Sequence, residues 1–179
     1  MGGRFVNKLV VDRDDGFSPE RKAIHMLRYT GDVLANRNMR KMMDVIYRNF
    51  EELCDVTELN HTRREIARLL TSPKAIIIIA AYKDQIIGYL IAEPTMVENL
   101  KQLMHIYYLY TSPVYRSRGI ATYMLNLIQT YAQELNISTL SLTFDTYNKK
   151  LEKFYVNNYF VYDSNLRSYQ RYDMMVKYV

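Results

Sequence analysis

Arg116-Ser117-Arg118-Gly119-Ile120-Ala121-Thr122 is the stretch on which the fold turns. Before it, Ile106 to Thr111 is an apolar run that reads as a strand. After it, Ile120, Tyr123, Met124, Leu127, Ile128, Tyr131, Ala132 and Leu135 recur at the spacing of one helix face. A strand, a tight basic turn holding a glycine, and a helix start together make a cradle for an anion. The first turn of a helix carries N–H groups with no intrahelical acceptor, and the aligned peptide dipoles favour negative charge there. Gly119 and Ala121 have little or no side chain to hold a phosphate away from those groups. The turn therefore points to a ligand bearing a pyrophosphate.

Upstream of the turn, Ala75 to Tyr82 and Gln85 to Ala92 are apolar runs separated by Lys83-Asp84, the pattern of a hairpin, and Glu93-Pro94 closes the second run. Residues 95–103 read as a loop or short helical turn before a strand over 104–111. Met39, Met42, Met43, Ile46, Tyr47, Phe50, Leu53 and Cys54 mark an amphipathic helix. Thr62-Arg63-Arg64-Glu65 is a capping box that opens a second helix, which Ser72-Pro73 ends. Ala23 to Tyr29 reads as a first strand. Residues 1–20 are polar and read as an irregular leader, which leaves 21–179 as a single domain. Downstream, the helix over 119–135 stops at Asn136. Thr139 to Phe144 is a strand, Asn148 to Asn157 a short helix, and Phe160 to Tyr162 and Met174 to Tyr178 are the last strands. This order predicts an α/β (α+β) domain: a mixed, mostly antiparallel central sheet of about six or seven strands with helices on both faces.

Composition narrows the function. A chain of 179 residues, 49% hydrophobic and 24% charged, has the make-up of an ordinary globular domain. No apolar run approaches the ~20 residues of a membrane helix. Secretory and myristoylation signals are lacking, with Val6 standing where the latter needs Ser or Thr. The expectation is a cytoplasmic chain with no membrane partner. The one cysteine, Cys54, lies on an apolar stripe and reads as buried and inert. Net charge of +5 is compatible with nucleic acid or with a ligand carrying several phosphates. The basic residues are spread along the chain and form no nucleic-acid motif, so nucleic acid is not the expected partner. There is no Gly-Lys-Ser/Thr phosphate loop, no Gly-x-Gly-x-x-Gly turn and no cluster with metal-ligand spacing, so no metal is expected.

With these elements in place, the chain resembles the GNAT superfamily of acyl-CoA-dependent N-acetyltransferases, from about residue 23 to 179. The family's phosphate motif, Arg/Gln-x-x-Gly-x-Gly/Ala, stands as Arg116 to Ala121, preceded by Ser112-Pro113-Val114-Tyr115. Its second motif is an Asn, a Tyr seven residues later, then Gly-Phe. It stands as Asn148, Tyr155 and Tyr159-Phe160, with Tyr159 in place of the glycine. Gly88 falls where the family's third strand often has glycine.

The resemblance implies acetyl transfer from acetyl-CoA to a primary amine, directly, in a ternary complex. By position, the backbone of Leu109 and Thr111 would bond the pantetheine arm like an added strand. N–H groups of Arg118, Gly119, Ile120, Ala121 and Thr122 would hold the pyrophosphate, with Arg116 or Arg118 supplying positive charge. Asn148 would contact pantetheine or orient its loop. Tyr155 would lie near the thioester sulfur and protonate the departing thiolate. His105, six residues before Thr111, is the candidate general base, at the position where histone-type members have a glutamate. Glu51, Glu52 and Asp55 would attract a cationic acceptor, either a small polyamine-like amine or a protein lysine or N-terminal amine. Dimers are common in the family, so a homodimer is among the expected assemblies. Each residue also has a plainer reading: Asn148 as a helix N-cap, Tyr155 as a core aromatic, His105 as a structural histidine, and the carboxylates as a solvated helix end. The alternative at the level of function is a non-catalytic module that binds acyl-CoA.

Overall fold

The computed structural model describes residues 6–11, 22–31, 39–53, 62–83, 85–97, 102–163 and 171–179. These form two compact units, Met1–Tyr89 and Leu90–Val179, and the division falls inside one strand.

In the first unit the strand order is β1 (Val6–Val11), β2 (Lys22–Thr30), β3 (Ile76–Tyr82) and β4 (Gln85–Met96). β1 pairs antiparallel with β2, Val6 opposite Leu27, and β2 pairs antiparallel with β3, Tyr29 opposite Ile77. The sequence reading made residues 1–20 irregular. Val6–Val11 instead forms a strand paired antiparallel with β2, and its three valines favour that geometry. Ile76 to Ala80 are buried without a break, the signature of a strand covered on both faces. Helices α1 (Met39–Leu53) and α2 (Arg63–Thr71) pack together and bury Met42, Ile46, Ile66, Leu69 and Leu70. The capping box of α2 forms as read: Glu65 N–H donates to Thr62 Oγ1 at 3.3 Å, and Thr62 N–H donates to the Glu65 carboxylate at 2.7 Å.

The second unit continues from β4 in the order β4-β5-β6-β8-β7, with β5 (Gln102–Thr111), β6 (Thr139–Asp145), β7 (Val161–Tyr162) and β8 (Tyr172–Tyr178). β4 runs through Glu93-Pro94 to Met96 rather than stopping there, and β5 begins at Gln102. The β5–β6 pairing is parallel and the β6–β8 and β7–β8 pairings antiparallel, so the sheet is mixed and mostly antiparallel, as expected. Helix α3 (Ile120–Glu134) packs on β5 and β6, and α4 (Lys149–Asn157) on β6.

Both of these helices end the same way. After α3, Asn136 takes φ +58°, its N–H donates to Gln133 O and Ile137 N–H donates to Ala132 O at 2.8 Å. After α4, Tyr159 takes φ +67°, its N–H donates to Val156 O and Phe160 N–H donates to Tyr155 O. This pair of bonds satisfies the last free carbonyls of each helix and requires one left-handed residue. Asn tolerates that conformation. A tyrosine does so under strain.

Candidate active site

The basic turn lies between β5 and α3. A single 3-10 turn, Pro113–Tyr115, follows β5 and is closed by Tyr115 N–H donating to Ser112 O at 2.8 Å. The chain then enters the left-handed region twice, at Ser117 (φ +59°) and Gly119 (φ +75°). Gly119 is the N-cap of α3, and an added Cβ there would meet nothing within 4 Å. The first intrahelical bond runs from Tyr123 N–H to Gly119 O at 2.8 Å, so the N–H groups of Ile120, Ala121 and Thr122 have no acceptor within the helix. The first turn carries no acidic residue. Ile120 is buried, whereas Ala121 and Thr122 are half-buried.

The two arginines differ in what they touch. Arg116 turns back on the strand and donates its Nε–H to Thr111 O at 2.9 Å. Arg118 sets its guanidinium 5.5 Å from the centre of the Tyr115 ring, within cation–π range. The sequence pattern shows neither contact, because side-chain direction in an irregular turn is not written in residue spacing. Thr111 also keeps a buried hydroxyl with no hydrogen-bond partner.

Along β5 the even-numbered residues Met104, Ile106, Tyr108 and Tyr110 are buried, while His105, Tyr107, Leu109 and Thr111 share the opposite, half-buried face. His105 Nδ1 lies 2.9 Å from Ser141 Oγ, and its ring meets the Tyr107 ring edge-on at 4.7 Å. Burial pushes the imidazole pKa down from 6.5 to about 4, so the ring is neutral at physiological pH.

The second motif opens α4. Asn148 is its N-cap and accepts Leu151 N–H on Oδ1 at 3.1 Å, which is the plainer of its two readings. Tyr155, 6% exposed, sits among Phe144, Phe154 and Phe160 at ring separations of 6.1, 5.3 and 5.7 Å. Burial raises its phenol pKa well above the ordinary value. Its ring is therefore part of the core, whatever its hydroxyl does.

Of the acidic group, Glu51 and Glu52 belong to the last turn of α1, and Asp55 lies outside the described residues, as does Cys54. The first unit also holds an open cavity of about 510 Å³ lined by Lys41, Asp44, Val45, Arg48, Gln85 and Ile86, none of which the sequence reading singled out. Among the described residues no group of three or more His, Cys, Asp or Glu side chains comes together. No helix among them is long and apolar enough to cross a membrane.

Ser141 is the residue that sequence reasoning missed. Its signal was present: Thr139, Ser141 and Thr143 alternate with Leu140, Leu142 and Phe144, which puts a polar row on one face of β6.

The mixed sheet thus carries, between its parallel-paired strand β5 and helix α3, a turn whose N–H groups at Ile120, Ala121 and Thr122 have no acceptor within the helix. The acetyltransferase (GNAT) family model matches residues 38–158, more than half of the chain, and the chain belongs to that family. Among solved structures it is similar to a GNAT-family acetyltransferase from Listeria monocytogenes. The TM-score is 0.68 at 12% identity, covering 97% of this chain and all of that one. It is also similar to Arabidopsis thaliana NAA60 in complex with acetyl-CoA, with TM-score 0.65 and 14% identity over 86% and 98% of the two chains. A third is an aminoglycoside acetyltransferase from an uncultured soil metagenomic sample, with TM-score 0.61 and 17% identity over 82% and 90%. At these identities the likeness is one of fold. No curated protein matches the sequence.

Proposed function

We propose that the chain moves an acetyl group from acetyl-CoA to a primary amine, by direct transfer in a ternary complex. The observation that carries this is the turn at Ser117–Thr122. Two left-handed residues open it, the N–H groups of Ile120, Ala121 and Thr122 lack helix acceptors, and the first turn of the helix carries no acidic residue. That donor set fits a pyrophosphate. Arg118 adds positive charge beside it, while Arg116 acts chiefly by holding the end of β5 through Thr111 O. The backbone of Leu109 and Thr111 lies on the strand that leads into the turn, where the pantetheine arm would add as a strand.

Acetyl-CoA supplies an activated thioester. The protein's part is to hold it, orient the amine and manage two protons. His105 is the proton acceptor. At a pKa of about 4 it is too weak to strip a free ammonium, whose pKa is about 10 for lysine. It suits the nitrogen after bonding to the acetyl carbon has begun, when that nitrogen turns acidic. Tyr155 is the donor to the leaving sulfur. A phenol raised in pKa holds its proton too tightly to surrender it fully to a thiolate near 8.5, so it serves as a hydrogen-bond donor. Asn148 fixes the start of the helix that carries Tyr155. Glu51, Glu52 and Asp55 remain the proposed attraction for a cationic acceptor. Arabidopsis thaliana Naa50, solved with the bisubstrate analogue CoA-Ac-MVNAL, and the aminoglycoside enzyme have the same fold, which keeps both peptide amines and small polyamines on the panel to be tested.

The test is release of CoA thiol from acetyl-CoA with spermidine, aminoglycosides, lysine peptides and N-terminal peptides, with Tyr155→Phe alongside. Release with one class, lowered in the variant, supports the proposal. Tight acetyl-CoA binding with no release from any amine replaces it with a binding module.

A further inference from the structure

His105 and Ser141 face each other across the parallel β5–β6 pairing, in register, with Met104 beside Leu140 and Ile106 beside Leu142 on the two sides. Those four flanking residues are buried on the other face of the sheet. Ser141 itself has no exposed surface. It cannot meet a thioester, so it can act only through what it touches, and it touches His105 Nδ1 at 2.9 Å. A serine hydroxyl can donate to an imidazole nitrogen or accept from it. The choice decides the chemistry. If the hydroxyl donates, Nδ1 holds the buried lone pair, Nε2 carries the proton, and the ring has nothing with which to take another. If the hydroxyl oxygen accepts, Nδ1 carries the proton and Nε2 keeps a lone pair. The bond to Ser141 then survives, strengthened, when the ring becomes charged. The Tyr107 ring also meets the imidazole edge-on, and an aromatic edge does not replace that bond.

We propose that Ser141 is a positioning residue for the transfer: its hydroxyl oxygen accepts the Nδ1–H of His105 and holds the imidazole in the tautomer whose Nε2 takes the proton from the acceptor nitrogen. This rests on the acetyl-transfer reading with His105 as proton acceptor. In the step, one N–H bond of the acceptor breaks, an Nε2–H bond forms, and the positive charge passes to an imidazolium still bound to Ser141.

The test begins with the full chain labelled with ¹⁵N-histidine, its three histidines assigned with the help of His105→Gln. Proton–nitrogen correlation spectra of the His105 ring are expected to show the Nδ1–H tautomer. Ser141→Ala is expected to shift it toward Nε2–H, and Ser141→Thr, which keeps the hydroxyl, to retain it. In turnover, Ser141→Ala should lower kcat about tenfold, leave the KM for acetyl-CoA unchanged, and be rescued by Ser141→Thr. An Nε2–H ring in the unaltered protein overturns the proposal, and so does an unchanged kcat in Ser141→Ala. The tautomer is read without any acceptor. Failure of the whole acetyl-transfer reading, seen as no turnover with any amine, is therefore distinguishable from failure of the role given to Ser141.

Discussion

Single residues in this chain carry opposing demands of fold and chemistry. Tyr159 sits where the family has glycine, at φ +67° and 80% exposed, with the Lys177 ammonium 5.6 Å from its ring centre. The left-handed conformation costs a non-glycine residue roughly 1–2 kcal/mol, and little burial offsets it. Tyr159→Gly is therefore expected to raise unfolding free energy by about 1 kcal/mol, read as a higher denaturant midpoint with unchanged slope. Thr111 presents a second local debt, a buried hydroxyl with no partner. Thr111→Val keeps the shape and removes that group. It should stabilise the chain by about 1 kcal/mol, and an unchanged or lowered melting midpoint would show that the hydroxyl is satisfied in solution. His105 is the third case. Replacing it with Ala should lower kcat by about 10²-fold, and the acid limb that it contributes should fall near its pKa of about 4 rather than at 6.5. An activity profile with an acid limb near 6.5 that persists in His105→Ala would assign the limb to another group.

At the scale of elements, the legible parts were those written in local patterns. The capping box at Thr62–Glu65, the helix stop at Asn136, the apolar runs of β3 and β4 and the amphipathic face of α3 could each be read because the signal lies within a few residues of the structure it makes. β1 was missed because the charged run Asp12 to Asp15 beside it made the whole segment read as polar, and β4 was cut short at Pro94 because proline ordinarily marks an edge or an end. In the candidate site, the turn and helix start at Gly119 were legible from the glycine and its flanks. The role of Arg116 as a clamp on Thr111 O and the Ser141–His105 pair were not, the first because a side chain's direction in an irregular turn has no spacing signal and the second because 36 residues separate the partners. One close approach had no sequence signal either. Gly31, just past β2, lies so near the backbone of Ser72, which follows α2, that an added Cβ would fall on the Ser72 carbonyl oxygen. A rigid backbone clash cannot be relieved by a rotamer change. Gly31→Ala is expected to destabilise the chain by at least about 3 kcal/mol, visible as loss of soluble yield or a large drop in melting temperature.

For the molecule as a whole, acid stability should follow from how its ionisable groups are placed in the second unit. Asp145 accepts from Arg171 Nη2 at 2.7 Å and from its Nε at 3.0 Å, which ties the end of β6 to the start of β8 and holds the carboxyl below its ordinary pKa. Both side chains are partly exposed, so the pair is screened. Its contribution is present above the unfolded carboxylate pKa and is lost as pH falls through the lower folded value. His105 acts in a higher window. Its pKa falls from 6.5 to about 4 on folding, so between those values the unfolded chain binds a proton that the folded chain refuses. Stability must then rise with pH across that interval, and the loss on acidification is complete near pH 4. A shift of this size corresponds to a change on the order of 3 kcal/mol. Denaturant unfolding at pH 7, 5.5 and 4 should show this fall in the unaltered protein. His105→Gln cannot take up the proton and should show a flatter dependence over the same interval, with the two curves running parallel again below pH 4, where Asp145 takes over. Curves that stay parallel from pH 7 to 4 would mean that His105 remains solvated enough to titrate normally, and the neutral imidazole that the proposed proton transfer requires would then be only partly populated near pH 6.5.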